Sequence, residues 1–131
     1  MDRMSTSSGR VPVLEAKIQA EIVKFLLPFR KAGKLDFFSV PNEGAANPIR
    51  QGQLIAMGLR PGVSDLVLMF PEGRTVFVEV KNETGTQSPA QIAFEQKCHE
   101  LGFEYVLVRS VDEVRRIIED SISCYVSGQE A

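Results

Sequence analysis

Two short apolar runs carry charges that a strand interior does not hold without a reason: Ser64-Asp65-Leu66-Val67-Leu68-Met69-Phe70 and Thr75-Val76-Phe77-Val78-Glu79-Val80-Lys81. Both are rich in β-branched and aromatic residues and short, which predicts strands rather than helices. Burying a carboxylate is costly unless a counter-charge or a metal meets it. Two carboxylates and one ammonium on neighbouring strands therefore point to a divalent-cation site with a positioned positive charge, the equipment of phosphodiester hydrolysis.

The connecting turn decides whether those groups meet. Phe70-Pro71-Glu72-Gly73-Arg74 fits a type I turn with proline second and Gly73 in the left-handed bulge position. A loop of this length pairs Phe70 with Arg74. Counting back then pairs Leu68 with Val76, Leu66 with Val78 and Asp65 with Glu79. Opposed residues share a face, and Lys81 joins Glu79 by the period of two. A loop shorter by one residue would send Asp65 to the opposite face. The predicted cluster is Asp65, Glu79 and Lys81.

The chain has 131 residues, enough for one domain with a substantial core. The N-terminal residues 1–11 read as a disordered polar tail, residues 12–126 as the domain and residues 127–131 as a loose end. No signal peptide or membrane-spanning run is visible, and a cytoplasmic setting is expected. Cys98 and Cys124 lack metal-ligand spacing and read as small apolar groups. His99, the sole histidine, cannot build a histidine-based centre alone and reads as structural. The net charge of −2 disfavours nucleic acid as a partner only weakly, because it is unevenly spread. Residues 1–60 hold nine basic against five acidic side chains, and residues 61–131 hold six against twelve. A basic half beside an acidic one suits a phosphate backbone.

Upstream, Pro12 opens a helical pattern with Leu14, Ile18, Ile22, Phe25, Leu26 and Phe29 as its apolar stripe, ended or kinked at Pro28. A strand is expected over Leu35–Val40, and then a long loop from Pro41 to Gly62. Downstream, Ser88-Pro89-Ala90-Gln91 announces a helix by a capping box, with Phe94, Cys98 and Leu101 turned inward. A strand over Phe103–Val108 and a helix begun by Ser110-Val111-Asp112-Glu113 follow, the latter with Val114, Ile117 and Ile118 inward. The order is helix, three-strand meander, helix, strand, helix: an α/β fold in which the last two strands run parallel.

This order, with Gly58-Leu59-Arg60-Pro61-Gly62-Val63-Ser64-Asp65, Val78-Glu79-Val80-Lys81 and Ser88-Pro89-Ala90-Gln91, resembles the PD-(D/E)XK nuclease superfamily. Within it, the chain resembles the virus-type replication–repair nuclease (VRR-NUC) domain. Glu15 with Gln19 and Pro41-Asn42-Glu43-Gly44 also match the pattern, and Ser64 stands where the family commonly has proline. The resemblance implies a restriction-endonuclease-like αβββαβ core, a mixed sheet flanked by helices, with an extra C-terminal helix. It resembles the small stand-alone bacterial and phage members. It therefore implies a homodimeric DNA endonuclease acting on Holliday junctions or other branched DNA. A flap- or nick-directed nuclease, or a catalytically silent DNA-binding module, is the alternative.

In that frame Asp65 and Glu79 are the expected metal ligands, with the Val80 carbonyl as a third oxygen. An all-oxygen site suits Mg2+ or Mn2+. Lys81 would orient the attacking water and offset developing charge. Glu15 would reach the metal directly or through water, unless it only serves the first turn of its helix. Gln91 would serve both the cap and the site. Asn42, Arg50 and Arg60 in the long loop, with Gln19, are the expected DNA contacts.

Overall fold

A computed structural model describes residues 13–41 and 47–130, with side chains placed over 14–41 and 47–122. Four strands form one sheet in the order β1-β2-β3-β4. They are β1 (Asp36–Ser39), β2 (Leu66–Met69), β3 (Thr75–Val80) and β4 (Glu104–Val108). The first three pair antiparallel, and β4 lies parallel to β3. Helices α1 (Val13–Lys31), α2 (Pro48–Ala56), α3 (Pro89–Leu101) and α4 (Val111–Glu130) accompany the sheet among the described residues. This is the predicted mixed α/β sheet with flanking helices.

The period of two sorts each strand into two faces. One face presents Leu66, Leu68, Val76, Val78, Val80 and Val108, and buries them against Ile22 and Leu26 of α1 and Val114 and Ile118 of α4. This is the main core. The opposite face carries Phe77, which meets Phe94 of α3 edge-on at 5.4 Å and Phe103 at 5.5 Å. Tyr105 closes that cluster against Phe94 at 6.0 Å. Glu79 and Lys81 share this second face with Phe77, so α3 is the helix that stands over the charged residues.

The β2–β3 register is the predicted one: Leu68 faces Val76 and Leu66 faces Val78. The Phe70 amide donates to the Arg74 carbonyl at 2.8 Å and closes the turn. Its interior differs from the expected type I geometry. Both Glu72 (φ 66°) and Gly73 (φ 79°) are left-handed, although only the glycine has no steric objection.

Other expectations need correction. Pro28 does not end α1, which continues for three residues to Lys31. Leu14 and Leu101 are 62% and 66% exposed, outside the stripes assigned to them. The long loop contains α2, capped by the Asn47 side chain, which accepts from the Arg50 amide at 2.8 Å, and started by Pro48. Asn-Pro before Ile-Arg-Gln is a helix start, although no residue of α2 is buried. In the last helix half of the expected capping box forms, the Ser110 hydroxyl accepting from the Glu113 amide at 3.4 Å, while the Glu113 carboxylate accepts from the Arg109 amide at 2.7 Å instead of that of Ser110. That helix runs to Glu130. The N-terminal tail, Asn42 and Glu43 lie outside the described residues, and so does the Cys124 side chain. Cys98 is buried and unpaired, as expected. No helix among the described residues is long and apolar enough to cross a membrane.

Candidate active site

The ladder that ends at Leu66 opposite Val78 leads directly to Asp65 and Glu79. Asp65 is locked at the strand entry on both sides. Its carbonyl accepts from the Val40 amide at 3.0 Å, and its Oδ2 accepts from the Val80 amide at 2.7 Å. The second bond turns the carboxylate toward β3, beside Glu79. Ser64 is buried and donates its hydroxyl to the Leu66 carbonyl at 3.1 Å. The residue that replaces the family proline thus satisfies itself locally.

Glu79 is 1% exposed, and Lys81 and Glu15 are each 8% exposed. The charged set is therefore interior, not a solvated rim. Lys81 Nζ stands 3.7 Å from Glu79 Oε2, and the same oxygen accepts from Gln91 Nε2 at 3.0 Å. The other oxygen, Oε1, is buried without a hydrogen-bond partner among the described residues. Leaving such an acceptor dry costs about 1–3 kcal/mol, more for a charged group. Burial first, then the charge of Asp65, pushes Glu79 up to about 8. Lys81 opposes this rise and Glu15 adds to it.

Gln91 bonds both its own helix cap and Glu79. Its Oε1 accepts from the Ser88 amide at 2.8 Å, closing the capping box, while its Nε2 holds Glu79. The start of α3 is thereby tied to the middle of the site. Gly62 makes that approach possible. A β-carbon there would lie 2.3 Å from the Ala90 carbonyl oxygen and 2.8 Å from the Gln91 amide.

Glu15 comes to the site from α1. A β-carbon on Gly85 would lie 3.0 Å from Glu15 Oε2 and 3.4 Å from Lys81 Cδ, so the Glu15 carboxylate borders the loop that follows Lys81. Its charge adds to the rise at Glu79, and among the described residues no three Asp, Glu, His or Cys side chains form a compact cation cluster. Gln19 lies one turn further along α1 and is half-buried. Arg60 lies over the Phe94 ring at 5.1 Å, one turn along α3 from Gln91. Arg50 sits on exposed α2, its Nη1 3.5 Å from Gln53 Oε1. His99 pairs at 3.5 Å with Glu95 on the outside of α3. Two residues without any sequence signal join the surroundings. Arg109 bonds the carbonyls of the loop after Lys81, and Gly85 faces Glu15.

Does a divalent cation fit these donors? It would give the orphaned Oε1 of Glu79 a partner and relieve the repulsion between Glu79 and Asp65. Hard oxygen donors with Lys81 alongside suit Mg2+ or Mn2+. The donor set fits.

A family model described as the VRR-NUC domain matches residues 28–112. A solved structure called "VRR_NUC domain" is similar at 23% identity and a TM-score of 0.57, over 82% of this chain and 97% of its own. Another, called "VRR_NUC domain protein", is similar at 16% identity and a TM-score of 0.63, over 87% and 92%. At such identities the two structures speak to the fold alone. A comparison with curated proteins found no match.

Proposed function

The chain belongs to the VRR-NUC family, a nuclease family, and from that premise we propose that it is a Mg2+- or Mn2+-dependent DNA endonuclease directed at branched DNA. The observation that carries the metal dependence is the buried, unpartnered Glu79 Oε1 beside Asp65, with Lys81 close by. Asp65 and Glu79 would hold the cation, with the Val80 carbonyl as a further oxygen. Bound there, a divalent ion supplies Lewis acidity toward the scissile phosphate and an acidified water.

The side chains supply the rest. The Val80 amide fixes Asp65 Oδ2, and Gln91 Nε2 fixes Glu79 Oε2, so both carboxylates are oriented before any ligand arrives. Lys81 Nζ, held in the interior, orients the attacking water by hydrogen bonding and offsets the negative charge that grows on the phosphoryl oxygens. Desolvation strengthens that effect, since a charge in a low-dielectric site acts more strongly than one in water. Glu15 would act from just outside the pair, through water. Arg60, over Phe94, offers a planar fork to a neighbouring phosphate, with Arg50, Gln19 and Asn42 as outer contacts.

Preference for four-way or otherwise branched DNA, and action as a homodimer, rest on the family likeness and on the need for two cuts where one domain holds one site. The test is a panel of single-stranded, duplex, flap and four-way DNA with Mg2+, Mn2+ or EDTA, with product ends mapped. Metal-dependent cutting with preference for the four-way substrate is expected. A flap preference would reassign the substrate. DNA binding without cutting in either metal would leave only a binding module.

A further inference from the structure

Resting on the metal-centre reading above, we propose that Arg109 is a positioning residue for this centre: by clasping the loop after Lys81 it sets the place of Glu15 beside Asp65 and Glu79. Arg109 follows β4, far from the catalytic motifs in sequence. Its Nη1 donates to the carbonyls of Asn82 at 2.7 Å and Gly85 at 2.8 Å, with Glu83 at 3.4 Å. Its own backbone is held, because its amide donates to Glu113 Oε1 at 2.7 Å at the start of α4. The clasp is therefore anchored to a helix rather than adrift on the surface.

The clasped loop is the one that matters to the site. It leaves β3 at Lys81 and returns at Ser88, the cap of the helix that carries Gln91. Inside it, Asn82 Oδ1 accepts from the Thr84 amide at 3.1 Å, turning the chain so that Gly85 meets α1. A β-carbon on Gly85 would stand 3.0 Å from Glu15 Oε2 and 3.2 Å from Asn82 Oδ1. The loop backbone is thus the wall against which the Glu15 carboxylate rests. All three contacts are made by the one nitrogen, Nη1, whose two N–H groups serve the two short bonds, to Asn82 and Gly85. Residues behind metal ligands of this kind typically change metal affinity about 10–100-fold when removed.

The test reads Mn2+ binding to the full chain by calorimetry, without nucleic acid, beside thermal melts. Arg109→Gln should weaken Mn2+ binding about tenfold. Arg109→Lys should recover only part of the loss. Glu15→Gln should weaken binding on the same scale, and the double variant should be no weaker than Glu15→Gln alone, because both changes act through one carboxylate. Wild-type affinity in Arg109→Gln, or losses that multiply in the double variant, would overturn the proposal. If Arg109→Gln melts too low to measure, Gly85→Ala leaves the arginine in place and crowds the same carboxylate. Weaker Mn2+ binding there supports the proposal, and unchanged binding overturns it. Asp65→Ala tests the underlying reading separately. Binding lost in Asp65→Ala but intact in Arg109→Gln and Gly85→Ala overturns the inference alone. A wild-type chain that binds no Mn2+ overturns both.

Discussion

Gly62 and Ala90 touch through their backbones: a β-carbon on Gly62 would lie 2.3 Å from the Ala90 carbonyl oxygen. The loop that delivers Asp65 and the helix that delivers Gln91 are therefore packed without a side chain between them. Gly62 also has φ 88°, a left-handed value that a larger residue resists. Gly62→Ala must lift α3 away from the site. The expected result is a loss of roughly 2 kcal/mol or more in denaturant unfolding. Cleavage should fall about 100-fold, through misplacement of Gln91.

Glu79 makes stability depend on pH in the metal-free chain. Its carboxyl is raised from 4.5 to about 8, chiefly by burial and then by Asp65. The folded state thus keeps a proton that the unfolded chain gives up. That preference is complete below the unfolded value and is lost as pH rises through the folded one. Thermal melts in EDTA should therefore show wild type losing stability between pH 5 and pH 8, relative to Glu79→Gln, which cannot titrate there. Mg2+ should recover the loss most at the alkaline end. Parallel curves for the two proteins would contradict the assignment.

The double duty of Gln91 can be separated. Ser88→Ala removes the hydroxyl that accepts from the Gln91 amide at 3.2 Å, at a cost of about 1 kcal/mol in unfolding. It leaves the bond from Gln91 Nε2 to Glu79 intact, so activity should stay within a few-fold of wild type. Gln91→Ala should cost a similar amount of stability and lower cleavage by about 10–100-fold. Equal activity in the two variants would reduce Gln91 to a cap.

Glu72 is the one described non-glycine residue with positive φ, at 66° in the β2–β3 turn. Glu72→Gly relieves that strain but frees the unfolded chain, for a net gain of about 0.5–1 kcal/mol. The turn lies at the far end of the hairpin from Asp65, so cleavage should not change. A destabilised variant would mean that the Glu72 side chain holds the turn in solution.

The hairpin was readable because a period of two and a turn of fixed length leave little choice of register. Proline and glycine set the loop, and the loop put Leu66 opposite Val78. The sheet face of the charged trio followed from that alone. What stayed hidden has equally physical causes. Helix α2 is only nine residues long and lies in a stretch rich in Gly, Asn and Pro, which reads as loop by composition. Leu14 and Leu101 fit their helical stripes in spacing but sit at helix ends, beyond what the sheet covers. Arg109 and Gly85 act through backbone carbonyls and through the absence of a side chain, neither of which leaves a pattern in a single sequence. Glu15 was placed by likeness to a family, and its contact with the loop around Gly85 emerged only from the fold.

The pairing of Asp65 and Glu79 around a cation is tested most directly by cleavage of four-way DNA in Mg2+ by wild type and Glu79→Gln, with thermal melts alongside. The expected result is cutting by wild type and a loss of about a thousandfold or more in Glu79→Gln, which keeps its fold. Wild-type cutting by Glu79→Gln would contradict the role assigned to that carboxylate.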